Sequence, residues 1–338
     1  MRKIVSTIAA LCLYYTTYCQ GVVNRQQFFL DETLIEVTFT TDIKKLRSDK
    51  KIPEWQPANI VMHFSDTSVI TEEIRVQPRG EFRKLNCDIA SLMLDFKNIS
   101  SPKLSPLKKL KLVGGCRSSG PDEQLLLKEF LIYKIYNFLT NMSFRTRLMH
   151  VNYKDSKGKI KSYSQYAFLI EDIKDLCTRN NCLEPNKKTF RPGVTNRQQK
   201  TLVCMFQYMI GNTDWSLPNF HNIKMIVPKT DTFAPPYIIP YDFDYTGLVD
   251  AHYAVPQEQF GNTTLQERVY RGEPRSTEEL QQVIDIFKEK RERIIYYINE
   301  FPLLGAKTKR DVVAYIDQFY ETINSKNSWR AIFKAEKN

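Results

Sequence analysis

The sequence predicts an α+β chain in which a β-rich part precedes a mainly helical part. Three observations carry this. Short β-branched or alternating segments fill the first third, the first long helical pattern begins only near residue 121, and the last quarter reads as two long amphipathic helices. No internal repeat or low-complexity stretch interrupts this order.

The strand segments are 33–40 (TLIEVTFT), 59–64 (NIVMHF), 70–76 (ITEEIRV), 91–97 (SLMLDFK) and 109–113 (KLKLV), separated by Pro, Asp, Ser and Lys clusters, and together they suggest an antiparallel sheet. Pro121, Asp122 and Glu123 then suit the first turn of a helix over 121–141. Segments 146–153 and 161–170 read as a hairpin around DSKGK. A helix over 196–210 carries Leu202, Phe206 and Met209 on one stripe and stops at Gly211. Beyond it come a loop, GNTDWSLPNFHN, a strand, IKMIV, a second strand, PPYIIPY, and the turn DFDYTG. Helices over 276–301 and 308–325 close the chain, the first opening on STEE, the pattern of a capping box. The expected division is a leader at 1–20, a β-rich lobe with one long helix at 21–170, and a helical lobe at 171–338.

The leader reading rests on Arg2 and Lys3 before the apolar run 4–15, with small or polar residues after it, the layout of a secretory signal peptide. That run is too short to span a bilayer, and no later segment is long and uncharged enough, so no transmembrane segment is expected after cleavage. Thr16, Thr17 and Tyr18 replace the apolar and small residues that precede a lipidated cysteine, which argues against acylation at Cys19. Export places Cys87, Cys116, Cys177, Cys182 and Cys204 in an oxidising compartment. The expected bridges are Cys87 with Cys116 and Cys177 with Cys182, leaving Cys204 as a buried thiol in a helical pattern. No CxxC pair exists, and the four histidines are scattered, so a zinc site is not expected. The net charge of +11 is dispersed, without a run of five basic residues; it favours anionic ligands, while no nucleic-acid-binding motif is present.

The residues that carry chemistry lie in the second half. Asp214 and Asn219 stand five apart in a loop after a helix, and Asp242 ends an apolar strand. Phosphoryl transfer needs a carboxylate near the acceptor hydroxyl, plus an amide oxygen and a second carboxylate to hold magnesium on nucleotide phosphates. Loop and strand-end placement suits a hard cation that collects oxygens from several segments. The same residue types are also ordinary turn formers, and a DFD can simply cap a strand. In the helix over 121–141, Glu129 shares the stripe of Leu125, Ile132, Tyr136 and Leu139, where a charge demands a cation. In KKLKLVGG the alternation sets Leu110 and Leu112 on one face and Lys109 and Lys111 on the other, making Lys111 the expected phosphate-contacting partner of Glu129; Lys97 and Lys109 are the alternatives. RVQPRGEFRK places Arg79, Gly80 and Arg83 in a polar turn that suits phosphate oxygens, or an ordinary basic hairpin tip. Arg268 and Arg271, in ERVYRG, suit an acceptor phosphate or, preferably, a structural ion-pair network.

Taken together, IRVQPRGEFR, KLKLV, the NTDWSLPNF loop and IIPYDFDYTG resemble the CotH-like family of spore coat kinases and their bacterial relatives, over most of the chain from about residue 33. The resemblance implies an atypical protein-kinase-like two-lobed fold that uses ATP and Mg2+ or Mn2+ to phosphorylate protein hydroxyls, here on an envelope or secreted acceptor. It implies that Asp214 is the catalytic-loop aspartate, Asn219 its metal-binding asparagine and Asp242 the metal-binding aspartate of the DFG position, with Asp244 an extra ligand. The chain departs from the kinase pattern in having no G-x-G-x-x-G loop, Asn212, Thr213 and Asp214 in place of HRD, and DFD in place of DFG. A non-catalytic protein binding an anionic envelope ligand, and a hydrolase using Asp214, Asp242 and Asp244 as a metal cluster, are the competing expectations.

Overall fold

A computed structural model describes residues 25–48, 54–80, 87, 91–117, 122–185 and 194–336. The leader, Arg83 and Pro121 lie outside the described residues. The described elements are α1 (Arg25–Leu30), β1 (Ile35–Thr41), α2 (Ile43–Ser48), β2 (Gln56–His63), β3 (Val69–Arg79), β4 (Ser91–Asp95), β5 (Lys109–Gly114), α3 (Asp122–Leu139), β6 (Thr146–Asp155), β7 (Tyr163–Ile170), α4 (Ile173–Arg179) and β8 (Cys182–Leu183), then α5 (Arg197–Met209), β9 (Ile223–Pro228), β10 (Tyr237–Pro240), α6 (Thr277–Glu300), α7 (Ala306–Asn324) and α8 (Lys326–Ile332).

The expected antiparallel sheet closes into a barrel, in the order β1-β2-β3-β4-β5-β7-β6. Closure comes from a parallel pairing of β1 with β6, in which Ile35 faces Met149 and Thr41 faces Asp155. A closed barrel leaves no strand edge unpaired. Period-two patterning fills its interior: Val37, Phe39, Ile60, Met62, Val76, Leu94, Leu110 and Leu112 are all buried in one hydrophobic cluster. The register sets Leu92 opposite Leu112 and Leu94 opposite Leu110, so Lys109 and Lys111 take the outer face.

A second cluster covers the barrel flank with α3 and the helices that follow. Helix α3 is buried on nearly every side, as a helix apolar all round must be. Its Phe130 meets Phe168 of the barrel and stacks on Phe301, while Tyr136 stacks on Phe206 of α5 at 4.2 Å. Strands β8, β9 and β10 form a separate small antiparallel sheet. The STEE motif makes the capping box expected of it at the start of α6.

Cys87 is bonded to Cys116. The second expected bridge is absent: Cys177 and Cys182 are both free and buried. Cys177 packs into the helical core from the last turn of α4, and the Cys182 thiol reaches the Asn180 carbonyl at 3.3 Å. Cys204 is a buried thiol, and burial pushes it up to about 12. Among the described residues, no helix is long and apolar enough to cross a membrane.

Candidate functional site

Helix α5 ends at Gly211, whose φ of 65° is a conformation that glycine adopts without steric cost. A Cβ there would also fall within 2.1 Å of the Tyr315 hydroxyl. The chain then enters 212–222, where the Asn212 side chain accepts from the Asp214 N–H at 2.8 Å and donates to Gln207 at 2.9 Å. Ser216 and His221 exchange backbone hydrogen bonds at 3.0 Å, closing a turn over 217–220. The turn folds the chain back, so that His221 and Asn222 return to Asp214. His221 Nε2 lies 2.9 Å from Asp214 Oδ1, and Asn222 Nδ2 donates to Asp214 Oδ2 at 2.9 Å and to its carbonyl at 2.8 Å. Gln257 Nε2 approaches Oδ1 at 3.5 Å. Arg271 fixes the loop from beneath, donating to the carbonyls of Thr213 and Trp215 on either side of Asp214.

Strand β10 delivers the second group. Its pairing with β9 is prolonged by the Tyr241 N–H donating to the Asn222 carbonyl at 3.0 Å, after which Asp242 turns out of the sheet with φ 65°. The Asp242 N–H donates to the Tyr133 hydroxyl of α3 at 2.9 Å. Phe243 is wholly buried between Tyr133 and Phe206, with ring centroids 4.7 and 5.7 Å away. Asp244 is buried and accepts from the Tyr253 hydroxyl at 3.2 Å.

The barrel supplies the opposite wall. Arg79 and Gly80 at the end of β3, Ser91 of β4 and Lys111 of β5 join Tyr133, Asp214, His221, Asn222, Tyr241, Asp242 and Asp244 around one cleft of about 340 Å³. The Lys111 ammonium lies over the Tyr241 ring at 5.2 Å, and Lys224 approaches the same ring at 5.8 Å. Burial, reinforced by the charges of Arg79 and Lys224, pulls Lys111 down to about 8, with Asp242 opposing the shift. The cleft therefore pairs a cationic wall with a carboxylate wall.

Asp214, Asp242, Asp244, Lys111, Arg79 and Gly80 thus come together. Asn219 does not: it sits on the exposed tip of the 217–220 turn, and Asn222 takes the place expected for it. The expected ion pair between Lys111 and Glu129 is also not formed among the described residues. Glu129 is buried in a separate small recess against Gly114, Gly115, Asp122 and Tyr253, one helical turn from the cleft. The carboxylate whose charge holds the Lys111 proton most strongly is that of Asp242. Arg268 and Arg271 are structural, though not through ion pairs. Arg268 donates to backbone carbonyls of Met209 and Tyr315 and stacks on the Tyr315 ring, and Arg271 stacks on Phe260 and Trp215. Asn222, His221, Tyr133, Tyr241 and Lys224 join the cleft or its rim without belonging to the sequence-predicted set. The HN pair at the end of the loop, directly before a strand, was the available signal for two of them.

The donor set fits a divalent cation that shares its shell with a ligand. Among the described residues no group of three or more His, Cys, Asp or Glu is placed to hold a metal alone. Asp242 and Asp244 line the same cleft as Asn222, Lys111 and Arg79, and such a set suits Mg2+, which is usually bound through one or two carboxylates plus phosphate oxygens.

No protein-family model matches the chain, and no curated protein matches it. In its solved-structure comparison the chain is similar to the crystal structure of a Helicobacter pylori proinflammatory kinase, CtkA, with 11% sequence identity over 83% of this chain and 93% of that chain and a TM-score of 0.37. That is a distant likeness.

Proposed function

We propose that this chain is an exported CotH-like kinase that transfers the γ-phosphoryl group of ATP to Ser or Thr of an envelope or secreted protein, with Mg2+ or Mn2+. The observation that carries the proposal is the single cleft in which Arg79, Lys111, Asp214, Asn222, Asp242 and Asp244 converge from four separate segments. Binding a polyphosphate needs such cations, and in-line transfer needs carboxylates opposite them. In this reading the barrel is the nucleotide-binding lobe and the helical part is the catalytic lobe. A leader at 1–20 accounts for export, and the Cys87–Cys116 bond suits an oxidising compartment.

The bound cation would neutralise charge on the phosphates. Asp242 and Asp244, with Asn222 beside them, would hold it, and Lys111 and Arg79 would bind and orient the phosphate oxygens. Asp214 accepts the hydrogen bond of the incoming hydroxyl, its carboxylate kept in place by Asn222 and His221. The Tyr241 ring beneath Lys111 limits the room in which the ammonium can move.

A second reading, a protein that binds an anionic envelope ligand without chemistry, is favoured by one observation. Both Asp214 oxygens already accept hydrogen bonds from neighbouring side chains, the arrangement of a carboxylate that organises its loop, although each oxygen keeps a lone pair for a further donor or shares it with Gln257. The hydrolase reading needs a three-carboxylate metal cluster, which the described residues do not form.

Purified protein incubated with γ-labelled ATP, Mn2+ or Mg2+ and a generic protein acceptor separates these. The kinase reading expects label in protein and its loss in Asp242→Ala. Nucleotide-dependent thermal stabilisation without transfer supports the binding reading, and the absence of both removes the nucleotide from this cleft.

A further inference from the structure

We infer that Tyr133 is a positioning residue that holds Asp242 in its cleft-facing conformation; the inference rests on the nucleotide-and-metal reading of the cleft. Hydrogen bonding between β9 and β10 ends with the Tyr241 N–H on the Asn222 carbonyl. The next N–H, that of Asp242, leaves the sheet and is accepted by the Tyr133 hydroxyl at 2.9 Å. At that point the backbone takes φ 65°, a left-handed conformation that aspartate tolerates better than most residues and that turns the chain out of the sheet. The group that meets this turn is well defined. Tyr133 is 1% exposed, and its ring is wedged between Phe168 and Phe243. A phenylalanine would fill the same space against those two rings. The hydroxyl is therefore accounted for by the hydrogen bond it accepts, and that bond aims Asp242 toward Lys111 instead of along the strand.

Helix α3 thus contributes to the site through a neutral hydroxyl bonded to backbone, one helical turn beyond the buried Glu129. Tyr133 acts on the cation through Asp242 and leaves the phosphate-binding wall of Arg79 and Lys111 untouched, so its loss should separate metal affinity from nucleotide affinity.

The test is Tyr133→Phe in the full chain, measured three ways. Amide hydrogen exchange over 241–244 should quicken by about tenfold while the barrel amides stay protected. Mn2+ binding in the presence of a non-hydrolysable ATP analogue, followed by the Mn2+ spin-resonance signal, should weaken by about tenfold, with metal-free analogue binding changed less than about twofold. Phe243→Leu, which loosens the ring packing and keeps the hydroxyl, should lower the melting temperature without the metal-selective loss. Equal weakening of metal and nucleotide in Tyr133→Phe, or unchanged exchange at 241–244, overturns the inference. Should the wild-type chain bind neither Mn2+ nor the analogue, the nucleotide reading fails, and the exchange measurement alone decides whether Tyr133 holds Asp242.

Discussion

Asn222 donates to both the carboxylate and the carbonyl of Asp214, at 2.9 and 2.8 Å, and ties the two ends of the 212–222 loop together. This bond separates two asparagines that the sequence alone does not. Asn222→Ala should cut phosphoryl transfer by roughly a hundredfold, because it removes a cation ligand and frees Asp214. Asn219→Ala, at the exposed tip, should leave the rate within about twofold of wild type. Initial rates with labelled ATP check both, and a large loss in Asn219→Ala would return the metal site to the turn.

Ligand binding should depend on pH through Lys111. Its ammonium is charged below about 8 and neutral above it, so affinity for a polyphosphate should fall as pH rises through that value. Stability moves the other way. Between about 8 and 10.5 the unfolded chain keeps a proton that the folded chain has lost, so this group's contribution rises with pH across the window. Titration calorimetry from pH 7 to 9 should show the decline in affinity, and Lys111→Arg, charged throughout, should abolish it.

Arg271 supports the loop from outside the cleft. Its hydrogen bonds to the carbonyls of Thr213 and Trp215 should contribute about 2–3 kcal/mol, so Arg271→Met should lower unfolding free energy by that amount and depress the transfer rate as well. Denaturant melts and initial rates on one sample measure both losses. A rate loss with unchanged stability would place Arg271 on the substrate instead.

Alkylation of denatured, unreduced protein should label Cys177, Cys182 and Cys204 and spare Cys87 and Cys116. Replacing Cys87 and Cys116 together by Ala should cost about 3 kcal/mol through the greater freedom of the unfolded chain. Mass spectrometry of the labelled peptides decides the pairing.

Much of the barrel was legible in the sequence because its interior enforces alternation. Segments 33–40, 59–64, 70–76, 91–97 and 109–113 each fall on a strand, and the outward face of Lys111 follows from Leu110 and Leu112 alone. Closure was not legible, since the parallel partner of β1 is a segment far along the chain with no local mark of the pairing. The site was legible in its carboxylates and less so in their neighbours. Counting five residues from Asp214 reaches Asn219, but the Ser216–His221 bridge folds that residue outward and brings in Asn222. Glu129 and Tyr133 share one face of α3, and periodicity cannot say which turn of that face meets the cleft.

The pairing of Ile35 with Met149 fixes an order of events. As the polypeptide emerges from its N-terminus, β1 can pair with β2 soon after synthesis, yet its other side must wait until α3 and β6 have followed. Until then Val37 and Phe39 belong to a strand with an open edge, of the kind that recruits foreign chains. Any machinery that carries this protein in an extended form would keep that edge covered until the late strand arrives, and ring closure of this sort makes folding slow compared with a purely local hairpin.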